Sequence, residues 1–267
     1  VDLRYSTIAN IVQVYTGVGG KGYQLLASGL SLTSVVAETV VHFLFADRSG
    51  IQAVLKDVVT TSSNCTIYKV TAGYLQDSRQ VGRTTTDPLP KVPTPARSGD
   101  GEGLGVHLTV MEWNSYSSVT HLADITTSGM THSFEMGVYV SGVYAVGGSF
   151  QGVSISSPSS HMQVDVRMSE LSISSVSIPL LLSLSGVAGV VDISNSSLSN
   201  CTIEGVLVSS EKYNAGGESE GEWVRFNNVT AAHCHLSTSA GIIKLVGSAV
   251  LQMEDTHLSF STSQQTT

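Results

Sequence analysis

The sequence predicts an all-β protein, a right-handed parallel β-helix with coils of about 27 residues and inserted loops. Three observations lead there. Charged residues make up 13% of the chain, about half the usual share of roughly 25%, while hydrophobic residues are 41% and Ser plus Thr about a quarter. That apolar fraction, rich in Val and Ile, excludes disorder, and too little Ala, Glu and Lys is present for a helical bundle. Strands and turns remain. The second observation is alternation in four segments: Val164-Asp-Val166-Arg-Met168, Val191-Asp-Ile193-Ser-Asn195, Val224-Arg-Phe226-Asn-Asn228 and Leu251-Gln-Met253-Glu-Asp255. The third is their spacing of 27, 33 and 27 residues. A repeat of that length with about three short strands and no helical period is a coil that stacks on its neighbours, since one coil alone buries too little to be stable.

In chain order, Ala53-Val-Leu55-Lys-Asp57 is the first clear strand, and it leads into Ser63-Asn64-Cys65-Thr66-Ile67, which echoes Ser199-Asn200-Cys201-Thr202-Ile203. Residues 76–103 hold four of the six prolines and read as a Pro/Gly-rich loop inserted into one solenoid that runs from 1 to 267. Val106-His-Leu108-Thr-Val110 and Met136-Gly-Val138-Tyr-Val140 are further alternating strands. Past the repeat strands, Cys201 aligns with Cys234 and Ile203 with Leu236. Residues 209–222, rich in Gly, Glu and Ser, read as a second, shorter inserted loop. Val164, Val191, Val224 and Leu251 are expected in one inward column, and Val166, Ile193, Phe226 and Met253 in the next.

A net charge of −8, with only 13 Lys and Arg, excludes a nucleic-acid partner, which requires clustered cations. The chain opens at Val1 with no signal pattern and reads as an internal piece or a mature product. Residues 35–46 and 177–193 are too short or too interrupted to span a bilayer, so membrane attachment is expected outside this piece. Asn64, Asn195, Asn200 and Asn228 each begin a glycosylation sequon, and four such sites point to the extracellular or cell-surface compartment.

The stretch Val-Asp-Ile-Ser-Asn-Ser-Ser-Leu-Ser-Asn-Cys-Thr-Ile (191–203), the Asn64-Cys65-Thr66 triplet and the Ser/Val/Gly-rich coils resemble the dispersed gene family surface proteins of trypanosomes. The likeness covers residues 51–75 and 160–260. It implies a segment of a very large β-helical ectodomain, sequon- and Cys-containing, for which adhesion is the proposed role.

Alternation places Asp165, Asp192, Arg225 and Gln252 outward on successive coils. Two stacked carboxylates beside an arginine suit Ca²⁺ or acid/base chemistry on a sugar; the favoured reading is a mixed-charge ladder, with Asp165–Arg167 and Asp192–Arg225 paired. His233-Cys234-His235 has the look of a metal pair but lacks further ligands, and the other histidines (His42, His107, His121, His132, His161, His257) read as structural. No metal or cofactor is expected. Tyr139 and Tyr144 are candidates for a carbohydrate platform. Cys201 and Cys234 should stack as neighbours, either as buried thiols or as a disulfide, with Cys65 unpaired. Asn195 and Asn228, at a turn, form either an inward amide ladder with Met168 and Asp255 in the same column or two glycan sites; Asn64 and Asn200 should face out. The function expected is a non-enzymatic secreted or cell-surface β-helix with a structural or adhesive role, its partner a surface protein or glycan. Two alternatives stand beside it. One is a carbohydrate-active or polysaccharide-binding β-helix using the Asp165/Asp192/Arg225 face. The other is a filament subunit that self-associates through its coil ends.

Overall fold

The computed structural model describes residues 2–16, 23–45, 51–72, 105–127, 134–157, 162–211, 222–237, 242–247 and 249–262. Among the described residues there is no helix, and every strand pairs in parallel with the strand one coil away. The chain is a parallel β-solenoid. From one coil to the next is 28 residues at Tyr23 and Ile51, 30 at Val106 and Met136 and 33 at Val191 and Val224. The loop expected at 76–103 lies outside the described residues, but the strand before it, Ile51–Thr61, pairs directly with Gly105–Thr127. The loop expected at 209–222 is shorter than that. Val208–Glu211 and the first residue of Glu222–Leu236 are strand, and they pair with neighbouring coils.

Each coil has three sides joined by two sharp corners. In the coil that starts at Ile51, the inward residues Ile51, Ala53 and Leu55 are buried on the first side, Val58 and Thr60 on the second, and Cys65, Ile67 and Val70 on the third. Stacking extends each position into a column. Ala53, Leu108, Val138, Val166, Val191 and Val224 form one buried column through the interior. Bulky residues fill the wide part of the cross-section. Trp113 packs on Phe150 with ring centroids 5.8 Å apart, and its indole N–H donates to Thr60 Oγ1 at 3.2 Å. The inward columns reach Leu251 and Met253 on the last described coil, where both are more than 40% exposed.

The register corrects one expectation. Val164 stacks on Gly189, and it is Val166 that stacks on Val191, so this interval is 25 residues rather than 27. The column below Ile193 and Phe226 accordingly holds Met168, not Val166. The cause is a tight turn. After Leu182–Ser185 the chain reverses at Gly186, with φ 72°, and re-enters the first side at Ala188. A slip of two residues preserves which side chains point inward, so alternation alone is blind to it. The echo between residues 63–67 and 199–203 is offset in the same way: Asn64 occupies the position of Thr202, and Ser63 that of Cys201.

The corners explain much of the composition. All thirteen described non-glycine residues with positive φ fall into two columns. The first runs Gly29, Asp57, Glu112, Gly142, Glu170, Asn195, Asn228, Asp255; the second Tyr5, Ser34, Ser62, Ser117, Gly147, Ser175, Asn200, His233. Left-handed backbone costs an L-residue about 1–2 kcal/mol, least for Gly and Asn or Asp. The residue after the corner turns inward, and there a hydroxyl recurs. Ser6, Ser63, Ser118, Ser196 and Thr256 each donate to the carbonyl two residues earlier, at 2.7–3.0 Å. Backbone ladders pass through the corner as well, as in Ser62 N–H to Tyr116 C=O at 2.9 Å and Val119 N–H to Ser63 C=O at 2.8 Å. Replacing Asn200 (φ 52°) by Val should therefore lower the unfolding free energy by about 1–2 kcal/mol, with Asn200→Gly close to neutral. Ser63→Ala strands the Val35 N–H that its hydroxyl accepts at 3.1 Å and should cost about 1–3 kcal/mol. Urea-unfolding midpoints of the three variants check both.

Candidate functional site

The outward residues of the first side make two neighbouring columns across five coils. One runs His107, Gly137, Asp165, Val190, Trp223, Val250; the other runs Thr109, Tyr139, Arg167, Asp192, Arg225, Gln252. Gly137 interrupts the first column. A Cβ there would lie 2.6 Å from His107 Nδ1 and 2.7 Å from the Tyr139 ring, so the absence of a side chain lets Tyr139 fold across the strand. Its ring lies parallel to His107 at 6.4 Å, with an interplanar angle of 8°. The Arg167 guanidinium stands 5.9 Å from the ring centroid. The phenol donates to Asp165 Oδ2 at 3.3 Å, and partial burial followed by the Asp165 charge holds this hydroxyl above the ordinary tyrosine pKa. The result is a groove of about 640 Å³, lined by His107, Glu135, Gly137, Tyr139, Gln163, Asp165, Arg167, Val190 and Trp223 among others.

The carboxylates expected to stack do not. The two-residue register shift puts Val190 beside Asp165 and sets Asp192 between Arg167 and Arg225. Asp165 is instead gripped within its own strand, where Arg167 Nε and Nη2 donate to its two oxygens at 3.0 and 2.9 Å; this hydrogen-bonded pairing raises the guanidinium pKa. The pairing expected between Asp192 and Arg225 is not made in that form: Arg225 Nε donates to Gln252 Oε1 at 3.3 Å, and Asp192 Oδ1 is buried without a hydrogen-bond partner. Arg225 lies outside the groove. The residues that sequence reasoning passed over are Gly137, His107 and Trp223. A glycine at an outward position between aromatic neighbours was the available signal for the first.

Asn195 and Asn228 stack at the first corner, both exposed, with Asn228 Nδ2 donating to Asn195 Oδ1 at 3.0 Å. The amide ladder is thus on the surface, not inside, and Glu170 rather than Met168 continues its column toward the N-terminus. Asn64 and Asn200 are exposed. Tyr144 is 42% exposed and meets Tyr116 edge-on at 6.0 Å, away from the groove. His233 occupies a corner, so it shares no strand face with His235, whose Nδ1 lies 3.4 Å from Ser261 Oγ. Among the described residues no cluster of three or more His, Cys, Asp or Glu could hold a metal; His132 and His161 lie outside them.

Cys201 and Cys234 are stacked, buried and unbridged, and Cys65 is a third buried thiol in a different column. They take the place that Ser63 and Ser118 hold in earlier coils. The Cys201 thiol points to Ser199 C=O at 3.3 Å and that of Cys234 to Ala232 C=O at 3.5 Å. Burial pushes the Cys201 thiol up to about 11 and that of Cys65 to about 12. Since the thiolate is the reactive form, Ellman's reagent should label none of these three residues in native protein and all three after denaturation. A mass increase by two protons on reduction would show a disulfide instead.

No family model, no curated protein and no solved structure matches this chain.

Burial also lowers the pKa of His121, against a smaller opposing pull from Asp124, and that of His42. His121 Nε2 is buried without a hydrogen-bond partner. Both folded values lie below the ordinary 6.5, so on acidification the unfolded chain takes up protons first. Their contribution is full above that value and is lost as pH falls below it. Thermal midpoints should therefore drop between neutral pH and mild acid, before the carboxylates titrate, and His121→Gln should remove part of the drop.

Proposed function

We propose that this chain is a non-enzymatic, secreted or cell-surface β-solenoid with an adhesive and structural role. The observation that carries the reading is the charge pairing on the outer face of the first side. Cleaving a glycosidic bond requires two carboxyl groups flanking it, one of them free to act as nucleophile or base. Here Asp165 is held by both donors of Arg167, and Asp192 stands between two arginines in its column. The groove brings together Glu135 and Asp165 alone as carboxylates. What this face offers is a rigid, polar and aromatic surface. Its rigidity comes from strands hydrogen-bonded on both sides.

The exposure of Asn64, Asn195, Asn200 and Asn228 is compatible with glycans at all four sequons and supports an extracellular setting. The resemblance to trypanosome dispersed gene family surface proteins supports it further and points to a segment of a larger ectodomain. Expression of the chain through a eukaryotic secretory pathway, followed by site-resolved glycopeptide mapping, should find Asn64 and Asn200 occupied. Beads coated with that material should be retained on cell monolayers, and incubation with polygalacturonate and other polysaccharides should release no oligosaccharide. Unmodified Asn64 and Asn200, or cleavage of any polysaccharide, would overturn the reading.

A further inference from the structure

We infer that the groove beside Gly137 is a binding site for a neutral oligosaccharide lying along the solenoid axis. This rests on the adhesive reading and gives it a ligand class. Ligand sites combine apolar or aromatic surface with a few fixed polar groups, and the two are segregated here. At one end Tyr139, Asp165 and Arg167 form a closed set, fixed by the hydrogen bonds at 3.3, 3.0 and 2.9 Å and by the stack on His107. At the other end Val190 and Trp223, on consecutive coils, are each 46% exposed.

Polar and aromatic ends are three coil intervals apart, from Gly137 through Asp165 and Val190 to Trp223. At about 4.8 Å per interval that is about 14 Å, the reach of a short sugar chain rather than of one ring. A pyranose presents an apolar C–H face to an indole while its hydroxyls bond carboxylate and guanidinium groups, which matches this division. Arg167 already neutralises Asp165, so the polar end asks for hydroxyls rather than for a charged ligand. A peptide adding as a β-strand has no place, because the strands beneath the groove are paired on both sides.

The test is binding of neutral galactose, glucose and mannose tri- and tetrasaccharides to the full chain. It is read by tryptophan fluorescence and saturation-transfer NMR, with cell retention of coated beads measured in parallel. Wild-type protein should bind at least one saccharide. Trp223→Ala should weaken it about tenfold; being half exposed, this side chain can be removed with the circular dichroism unchanged. Gly137→Ala, which drives a Cβ into the Tyr139 ring, should weaken binding as well, and Lys69→Ala on another side of the coil should not. If no saccharide binds, if a proline-rich peptide binds in its place, or if Trp223→Ala binds as well as wild type, the inference falls. Retention of both proteins on cells without saccharide binding would reject the groove and leave adhesion standing. Loss of retention by wild type as well would reject both.

Discussion

Everything in this molecule hangs on turning a flat, hydrogen-bonded ribbon through two sharp corners without breaking its ladders. A parallel strand pair needs each N–H and C=O to meet a partner one coil away, and a corner would ordinarily leave buried groups unpaired at a cost of about 1–3 kcal/mol each. The solution is one residue in the left-handed region followed by an inward residue, repeated coil after coil. The ladder then continues across the bend, as in Asn200 N–H to Ala232 C=O and His235 N–H to Cys201 C=O. The abundance of Ser, Asn, Asp and Gly follows from that geometry. So does the placing of two cysteines: in a column whose other members are Ser63, Ser118 and Val176, a thiol is a small inward side chain that can point at the same carbonyl.

How far the fold is legible in the sequence follows from which physical quantity each feature depends on. The solvent-or-core parity of Val164, Val166, Val191 and Val224 depends on a period of two, and alternation reads it directly. Which residue stacks on which depends on loop length as well. The repeated Val-Asp dipeptides at 164–165 and 191–192 suggested a register that the Gly186 turn shortens by two. The error left every core assignment intact and displaced every outer neighbour, so Asp165 and Asp192, paired on paper, lie on different columns. The corner role of Asn195 and Asn228 was readable from their tolerance of positive φ. That their amides meet on the outside depended on where the bend points.

The groove was the least legible feature because no residue in it is unusual alone. Gly137, Tyr139 and Asp165 are separated by ordinary strand spacing, and Trp223 is 58 residues beyond Asp165. Only stacking brings them together, and only the missing Cβ at Gly137 lets the tyrosine ring lie down between His107 and Arg167. A site of this kind is written across coils, at right angles to the chain. Patterns along the chain report the scaffold; the chemistry lies in the columns.

The 25-residue coil has a further consequence. Since the core tests only parity, a pair of residues can be removed from or added to the turn between two coils, and each buried column then exchanges one aliphatic neighbour for another. The outer columns do not exchange like for like. At the Gly186 turn the same step decides whether Asp165 faces Val190 or Asp192, and whether Arg167 has a carboxylate or a serine beside it. A surface can therefore be rewritten over half the molecule by a length change in one turn, with no substitution in either face. For a lineage under pressure to alter what its exposed proteins touch, such steps are large in effect and mild for the fold, and variation among relatives would then concentrate in even-numbered differences of turn length.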